Sequence, residues 1–182
     1  NTAAKEAIGE LAATLIPAHS TVYLGSGPTT MQAVRHLAAK PRITLVTPSL
    51  NVINEARKFD SLNVIMLGGL YNHSTGSCVG SSVTDALSGM RMDYVLMAAT
   101  GVSIESGVTN STYAEVEIKR LVASRGANVI LMTDHTKICH AALMKFCDIK
   151  DLSVIVTDQR PPQRFMDYCE EMNVKVLWPD QQ

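Results

Sequence analysis

Short apolar segments alternate with amphipathic ones along the whole of this sequence. Runs such as Val22-Tyr23-Leu24 and Tyr94-Val95-Leu96-Met97-Ala98 are continuous rather than alternating in polarity. The segments between such runs place apolar residues three or four positions apart, as residues 3–16 do, and this spacing is typical of helices that bury one face. Continuous apolar strands separated by helices predict an α/β fold, with a mostly parallel β-sheet flanked by helices on both faces.

The individual elements follow from the same pattern. We predict strands at 21–24, 43–46, 64–67, 94–98, 129–132, 154–156 and 174–177. We predict helices at 3–16, from Met31 to a stop before Pro41, from after Ser49 to about Lys58, at 80–89, at 114–125 and from about Pro161. A loop precedes the helix at 80–89, and a long polar loop runs from Thr100 to about Tyr113. Since no linker or repeat interrupts the pattern, we expect one domain over residues 1–182.

Composition excludes several classes of protein. The net charge is −1 with 46% hydrophobic residues, which is not typical of a nucleic-acid-binding surface. No apolar run reaches the roughly 20 residues of a transmembrane helix, so we expect no membrane partner. The four cysteines form no CxxC pair, which favours reduced thiols in a cytoplasmic protein. The five histidines lack ligand spacing, so we predict neither a metal nor another cofactor.

Glycine, hydroxyl and charged residues collect where the predicted strands end. In an open parallel sheet these positions share one rim, and ligands bind there. The rim residues that we predict to bind a ligand are Ser26, Gly27, Thr29, Thr30, Thr47, Ser49, Gly68, Gly69, Gly101, Asp134 and Lys137.

The loop at 25–30, Gly-Ser-Gly-Pro-Thr-Thr, has the chemistry of an anion site. Glycines let a backbone approach a ligand, hydroxyls donate to it, and Pro28 suits the first turn of a helix. The N-terminus of that helix favours an anion such as phosphate. An ordinary tight turn explains the same residues, and the loop matches neither GxGxxG nor the GxxxxGK[ST] motif.

Three charged residues add to the predicted site. Glu115 and Lys119 are four positions apart, so they share one helix face; they either contribute to the site or form a surface pair. Lys137 follows a strand end, where it offers a mobile positive charge to phosphate or carboxylate. The alternative for Lys137 is a solvated loop charge.

Nine short motifs occur in an order that resembles one known family. They are GSGPTT (25–30), TPS (47–49), GG (68–69), VG (79–80), TGV (100–102), GVT (107–109), EVEIKR (115–120), DHTK (134–137) and TD (157–158). Each motif is short, but the ordered set covers nearly the whole chain. The sequence therefore resembles the C-terminal effector-sensing domain of DeoR-family bacterial transcriptional regulators.

This resemblance implies both a fold and a function. The implied fold is related to ribose-5-phosphate isomerase, glucosamine-6-phosphate deaminase and the CoA transferases. The implied function is to sense a phosphorylated sugar or related metabolite in a repressor of carbohydrate metabolism, with no catalytic residue and as a homo-oligomer. Such regulators contact operator DNA through an N-terminal winged helix-turn-helix, which no segment here resembles. We therefore expect this chain to be the sensor half of a longer repressor.

Two other functions stay open on the sequence alone. A sugar-phosphate isomerase or deaminase needs a carboxylate base beside the substrate carbon. The loop after the strand at 94–98 offers none before Glu105, although Glu115, Glu117 and Asp134 are candidates. An oligomerisation module without a ligand is the third possibility, and it leaves the polar rim unexplained.

Overall fold

The computed structural model describes residues 1–181, which contain seven α-helices and twelve β-strands. Seven of the strands form a parallel sheet, and the other five form two smaller sheets. The helices are α1 (Thr2–Thr14), α2 (Pro28–Met31), α3 (Val34–Ala38), α4 (Leu50–Ala56), α5 (Ser81–Ser88), α6 (Tyr113–Arg125) and α7 (Gln163–Glu171). The strands are β1 (Thr21–Leu24), β2 (Thr44–Thr47), β3 (Asn63–Met66), β4 (Leu70–Asn72), β5 (Ser77–Val79), β6 (Tyr94–Met97), β7 (Gly101–Ser103), β8 (Gly107–Asn110), β9 (Asn128–Met132), β10 (Met144–Cys147), β11 (Val154–Val156) and β12 (Lys175–Leu177).

The main sheet has seven strands in the order β12-β11-β9-β6-β1-β2-β3, and all neighbours are parallel. The predicted α/β class and the mostly parallel sheet are confirmed, and each of the seven predicted strands corresponds to a strand of this sheet. The chain fills one side of β1 first, with β2 and β3, and then returns through β6 on the other side. The strand order therefore reverses between β1 and β6, and a crevice forms outside the carboxyl ends of strands at such a point.

Both faces of the sheet are buried along its central strands, as the continuous apolar runs predict. Along β1, Val22 and Leu24 pack in a core with α1, α3 and α4, whereas Tyr23 points into a second core with α5, α6 and α7. Successive side chains point to opposite faces of a strand, so a buried strand needs apolar residues at every position.

Two smaller sheets replace the predicted loops. Strands β4 and β5 form a hairpin within the predicted loop before α5. Strands β7 and β8 form a second hairpin within the segment predicted as a long polar loop, and β10 joins it to make an antiparallel sheet in the order β10-β8-β7. The loop predictions for these segments were therefore wrong. The polar, glycine-containing composition of these segments is unfavourable for strands, but backbone hydrogen bonds to neighbouring segments stabilise them as strands.

Local capping explains where some helices begin. Asn1 accepts a hydrogen bond from the Ala4 backbone N–H at the start of α1, at 3.4 Å. Ser49 does the same for the Val52 N–H at the start of α4, at 3.3 Å. No helix among the described residues has the length and apolar character to cross a membrane.

Candidate functional site

A cleft of about 490 Å³ opens where the strand order reverses. Pockets of 300–1,000 Å³ are typical of small-molecule sites. Its walls come from the loop after β1, the residues after β6, the tip of the β4–β5 hairpin, and helix α6. The lining residues are Ser26, Gly27, Pro28, Thr29, Asn51, Tyr71, His73, Ser74, Thr75, Gly76, Ala98, Ala99, Thr100, Asn110, Glu115, Lys119 and Lys137.

The loop after β1 is held in a conformation that needs glycine. Gly27 has φ of 127°, which side-chain-bearing residues rarely adopt. The Thr30 hydroxyl donates to the carbonyls of Gly25 and Gly27, at 2.7 and 3.1 Å. Thr30 therefore fixes the loop from below, while Ser26, Gly27 and Thr29 line the cleft.

Helix α6 contributes a buried ion pair to the floor of the cleft. The Lys119 Nζ lies 3.8 Å from the Glu115 carboxylate, and only 7% of Lys119 and 8% of Glu115 are exposed. The surface-pair interpretation of these residues was therefore wrong. Ser26 donates its hydroxyl hydrogen bond to Glu115, and the Asn110 amide donates to the same carboxylate at 3.4 Å.

The Lys119 ammonium is largely occupied by the protein itself. It donates to the Ala98 carbonyl at 2.8 Å and to Asn110 Oδ1 at 2.9 Å, and it lies 5.5 Å from the centre of the Phe146 ring. An ammonium has three N–H donors. Two of them donate to Ala98 and Asn110, and the Glu115 carboxylate is the remaining charged neighbour of the group. Lys119 therefore holds the strand ends and α6 together.

Burial also shifts the pKa of Lys119. Burial lowers the pKa of Lys119 to about 8, the charge of Glu115 opposes this shift, and the nearby charge of Lys137 adds to it. Burial and the Glu115 carboxylate together raise the pKa of Tyr23. Lys119 and Lys137 also line the same cleft.

Lys137 reaches the cleft from a 3₁₀ turn at His135–Lys137 that follows β9. Asp134 caps the turn by accepting from the Thr136 backbone N–H at 2.9 Å. Asp158, after β11, accepts from the His135 backbone N–H and pairs with His135 Nδ1, both at 2.7 Å. Burial opposes ionisation of Asp158, but the hydrogen bonds from His135 outweigh it and lower the pKa of Asp158. The base of the Lys137 turn is thus tied to two strands.

Six of the predicted ligand-binding residues line the cleft, and the others have different positions. Those on the cleft are Ser26, Gly27, Thr29, Glu115, Lys119 and Lys137. Those outside its lining are Thr30, Thr47, Ser49, Gly68, Gly69, Gly101 and Asp134. For all of them, a role in ligand binding stays a prediction.

Most of the residues outside the lining have structural contacts. Thr47 Oγ1 accepts from the Ser49 backbone N–H at 3.1 Å, and Ser49 in turn caps α4. A side chain on Gly69 would meet the Val79 carbonyl at 2.8 Å, and one on Gly101 would meet the His140 carbonyl at 2.5 Å. A side chain on Gly68 would meet no atom within 4 Å.

Sequence reasoning missed the residues that the two hairpins bring to the cleft. Tyr71, His73 and the turn at 74–76 come from the β4–β5 hairpin, and Asn110 ends β8. The polar triplet Thr109-Asn110-Ser111 is the signal that could have indicated Asn110, since polar residues that end a strand mark the other walls as well. Within residues 1–181, no three His, Cys, Asp or Glu side chains form a group that could hold a metal ion.

Comparisons with known proteins agree with this architecture. The family model described as the DeoR C terminal sensor domain matches residues 1–159. The HTH-type transcriptional regulator IolR of Bacillus subtilis is 31% identical over 172 residues, which are 94% of this chain and 68% of that protein. The glycerol-3-phosphate regulon repressor of Escherichia coli is 28% identical over 173 residues, which are 94% of this chain and 68% of that protein.

Solved structures show the same fold at low sequence identity. A D-ribose-5-phosphate isomerase in complex with phospho-erythronic acid has a TM-score of 0.54 and 17% identity, covering 74% of this chain and 52% of its own. The tetrameric eIF2B β2δ2 complex of C. thermophilum has a TM-score of 0.56 and 15% identity, covering 78% of this chain and 46% of its own. The chain thus spans about half the length of these structural neighbours and about two thirds of its curated relatives.

Proposed function

Because this chain belongs to the family of DeoR C-terminal sensor domains, we propose that it senses a phosphorylated sugar or a related metabolite. The proposed context is a bacterial transcriptional repressor of carbohydrate metabolism. The observation that carries the proposal is a polar cleft at the strand-order reversal that combines two ammonium groups with a glycine and hydroxyl loop. Relatives of this chain are named as transcriptional regulators and repressors.

Lys137 is the group that we assign to the anion. Among residues 1–181 it has no ion-pair partner, whereas Lys119 is held by Ala98 and Asn110. The hydroxyl-bearing residues Ser26 and Thr29 line the same cleft as Lys137. Charge-assisted hydrogen bonds to phosphate are among the stronger polar contacts in proteins.

The uncharged part of the ligand has partners as well. Asn51, Asn110 and the Ser74-Thr75 turn line the remainder of the cleft with amide and hydroxyl groups. Groups of this kind both donate to and accept from sugar hydroxyls. The cleft therefore suits a small polyhydroxylated phosphate better than an apolar molecule. Such a ligand shifts the repressor between a DNA-binding and a non-binding state only if its affinities for the two states differ.

A thermal-shift screen of this chain against sugar phosphates tests the proposal. A ligand at about 100 times its dissociation constant adds roughly 2.7 kcal/mol to the free energy of unfolding, so the right compound raises the melting temperature clearly. The unphosphorylated forms of the same sugars are the matched controls, and we expect smaller shifts from them. Equal shifts from both forms would contradict the assignment of phosphate, and no shift from any sugar phosphate would contradict the proposal as a whole.

Replacing Lys137 with alanine should weaken effector binding by about ten- to a hundredfold. A hydrogen bond to a charged group contributes about 1.5–3 kcal/mol, and 1.4 kcal/mol corresponds to a factor of ten in affinity. Calorimetric titration of the parent and of Lys137→Ala measures the change. The control is Lys150→Ala, which removes an exposed lysine of the Ile149–Asp151 turn outside the cleft. Equal affinities for the parent and Lys137→Ala would remove Lys137 from the site.

The affinity for a phosphorylated effector should also fall as the pH rises above about 8. The bound dianion favours the Lys119 ammonium, so it raises the pKa of Lys119 from its value of about 8 in the free protein. Below pH 8, Lys119 is already protonated in the free protein. Above pH 8, the free protein has lost the Lys119 proton that the complex keeps, so binding must take up a proton. Each unit by which the ligand raises this pKa weakens binding up to about tenfold at high pH.

Titrations at several pH values between 7 and 9.5 measure this effect. The second ionisation of phosphate, near pH 6, is about nine-tenths complete at pH 7 and contributes little change above it. The groups that face Lys119 are Glu115 and Lys137. Lys119→Arg is the control, because a guanidinium stays charged over the whole range. A parent profile as flat as that of the arginine variant would exclude Lys119 from the electrostatics of binding.

Catalysis is the second candidate, since a carboxylate and a lysine with a lowered pKa lie in one cleft. Glu115 already accepts hydrogen bonds from Ser26 and Asn110 and faces Lys119, which favours a structural role over that of a free base. NMR spectra of candidate sugar phosphates incubated with concentrated protein separate the two functions. Steady turnover by the parent that Glu115→Gln abolishes would overturn the sensor proposal, and binding without turnover would support it.

A further inference from the structure

Large apolar side chains are exposed on the edge strand β3 and on the elements next to it in the sequence. The group, here called the edge surface, contains six of the eight large hydrophobic residues that are exposed among the described residues. Its members are Leu50, Val64, Ile65, Met66, Leu70 and Tyr71, with exposed fractions from 38% to 74%. They come from the start of α4, from β3 and from β4, which lie within 22 residues of one another in the sequence.

Strand β3 is the centre of this surface and ends the seven-stranded sheet. It pairs only with β2, and all four of its residues are exposed. Edge strands of monomeric proteins usually carry charges, proline or a bulge that prevents further pairing. The sequence Asn63-Val64-Ile65-Met66 has none of these. The opposite edge strand, β12, begins with Lys175 and is soon followed by Pro179.

The apolar side chains cover both faces of the edge. The register places Val64 and Met66 beside Leu45 and Thr47 on one face of the sheet, and Ile65 beside Val46 on the other. A partner that continues the sheet therefore buries apolar groups above and below the new strand pair. An extended partner strand fits this arrangement better than a helix does, because a helix covers only one face.

We propose that the edge surface is a two-fold interface between two copies of this chain, with the two β3 strands antiparallel. A two-fold axis perpendicular to the sheet relates identical edges in this way, and the contact is self-complementary. Two seven-stranded sheets then become one continuous sheet across the interface.

The size of the edge surface agrees with a stable dimer. Taking roughly 150–200 Å² for a large side chain, exposed fractions of 38% to 74% leave on the order of 500 Å² of apolar surface. A standard interface buries about 800 Å² on each partner, of which about 57% is non-polar. The apolar part alone therefore matches what each subunit contributes to such an interface.

The edge surface and the cleft share Tyr71. This residue lines the cleft and is 41% exposed, and its ring packs edge-on against His73 with 4.8 Å between ring centres. The hairpin that carries both residues is tied to α4, because Leu50 N–H donates to the Gly76 carbonyl at 2.9 Å. A ligand in the cleft thus contacts a segment that also forms the interface.

Lysine substitutions at the edge surface test the interface without any ligand. Ile65→Lys and Met66→Lys place a charge where apolar groups would meet, and a buried unpaired charge is strongly unfavourable. Interfaces of this size have dissociation constants between micromolar and picomolar, so analytical ultracentrifugation should find the parent dimeric at about 50 µM. Both variants should be monomeric with unchanged circular dichroism, since these side chains are exposed in the subunit.

The matched control is Leu143→Lys, which charges a more exposed leucine (78%, against 42% for Ile65 and 63% for Met66) directly before β10, in a different sheet. It should remain dimeric. A monomeric parent, dimeric Ile65→Lys and Met66→Lys variants, or a monomeric control would each overturn the proposal. Amide hydrogen exchange gives a second readout, because the outward N–H groups of β3 should exchange more slowly as the protein concentration rises, and rates independent of concentration would overturn the strand pairing.

The connection through Tyr71 rests on the proposed function and has its own measurement. The effector found in the screen should change the dissociation constant of the dimer, because coupling between two sites is reciprocal. Tyr71→Ser should reduce that change. An unaltered dissociation constant would refute the coupling, whereas the lysine variants test the interface even when no effector is found.

Discussion

Replacing Glu115 with leucine should lower the free energy of unfolding by about 3–5 kcal/mol at neutral pH, the usual result of removing one partner from a buried ion pair. The Lys119 ammonium then remains in a site where only 7% of the residue is exposed. Ser26 and Asn110 also lose the carboxylate to which they donate. Urea denaturation of the parent and the variant measures the difference.

The destabilisation caused by Glu115→Leu should also depend on pH, in a direction set by the pKa of Lys119. Burial already lowers the pKa of Lys119 to about 8, below its ordinary value of 10.5, and Glu115 opposes that shift. Without Glu115 the folded-state pKa falls further, so folding requires release of a proton that the unfolded chain keeps. The destabilisation relative to the parent should therefore be largest below the lowered pKa of the variant and should diminish as the pH rises to about 8, where the folded parent loses the same proton. Above that pH it should stay constant, because the unfolded chains of the two proteins titrate alike.

Two variants serve as controls for the ion pair. Glu117→Leu changes an exposed glutamate of the same helix and should alter the free energy of unfolding by less than about 0.5 kcal/mol. The double variant Glu115→Leu/Lys119→Met removes both charges and should cost less than the sum of the two single changes. Strict additivity of the single changes would show that the two charges do not interact in the folded protein.

Replacing Gly101 with alanine should destabilise the protein by about 3 kcal/mol, near the upper end for overpacking. The new Cβ would lie 2.5 Å from the His140 carbonyl oxygen and 2.9 Å from its carbon. Both are backbone atoms, so relief requires movement of the chain rather than rotation of a side chain. Thermal or urea denaturation measures the loss.

Gly68→Ala is the matched control for Gly101→Ala, because both glycines follow strands of the main sheet and both were predicted to bind the ligand. A Cβ at Gly68 meets nothing within 4 Å, so we expect a change within about 0.5 kcal/mol. Equal stabilities of the two variants would contradict the close approach at Gly101. Effector binding by Gly101→Ala under folding conditions also shows whether this glycine has any direct part in the site.

The main sheet could be predicted because its strands are short apolar runs, and the central ones are buried on both faces. Segments such as Val154–Val156 are apolar throughout, and short β-branched runs of this kind between amphipathic helices favour strands of a parallel sheet. The shorter hairpins could not be predicted in the same way. The strand Gly107–Asn110 is fully buried but contains Gly, Thr and Asn, and Gly107 has φ of 72°. Its pairing with β10 depends on residues more than 30 positions away.

The candidate site was predictable in location more than in detail. The rule for parallel sheets puts the residues after the strands at one rim, and the cleft is there. The sequence could not separate rim residues that face the cleft from those that hold the backbone, because Ser26 and Ser49 have the same chemistry. Ser49 precedes Leu50 as a helix cap, whereas Ser26 lines the cleft. The depth of Glu115 and Lys119 depends on which face of α6 packs on the sheet, and the i, i+4 spacing leaves that open.

The reversal of strand order also determines when the cleft comes into existence during folding. Its lining runs from Ser26 to Lys137, and β1 acquires its second neighbour only when β6, about 70 residues further along, has joined the sheet. Pairings of such sequence separation form late and slowly. A half-synthesised chain therefore lacks part of the cleft, and a small molecule stabilises the chain only once all of the walls from Ser26 to Lys137 are present. Ligand binding then reports that this part of the chain has folded, and a compound that fits the cleft should rescue marginally stable variants only after synthesis has passed the Lys137 turn.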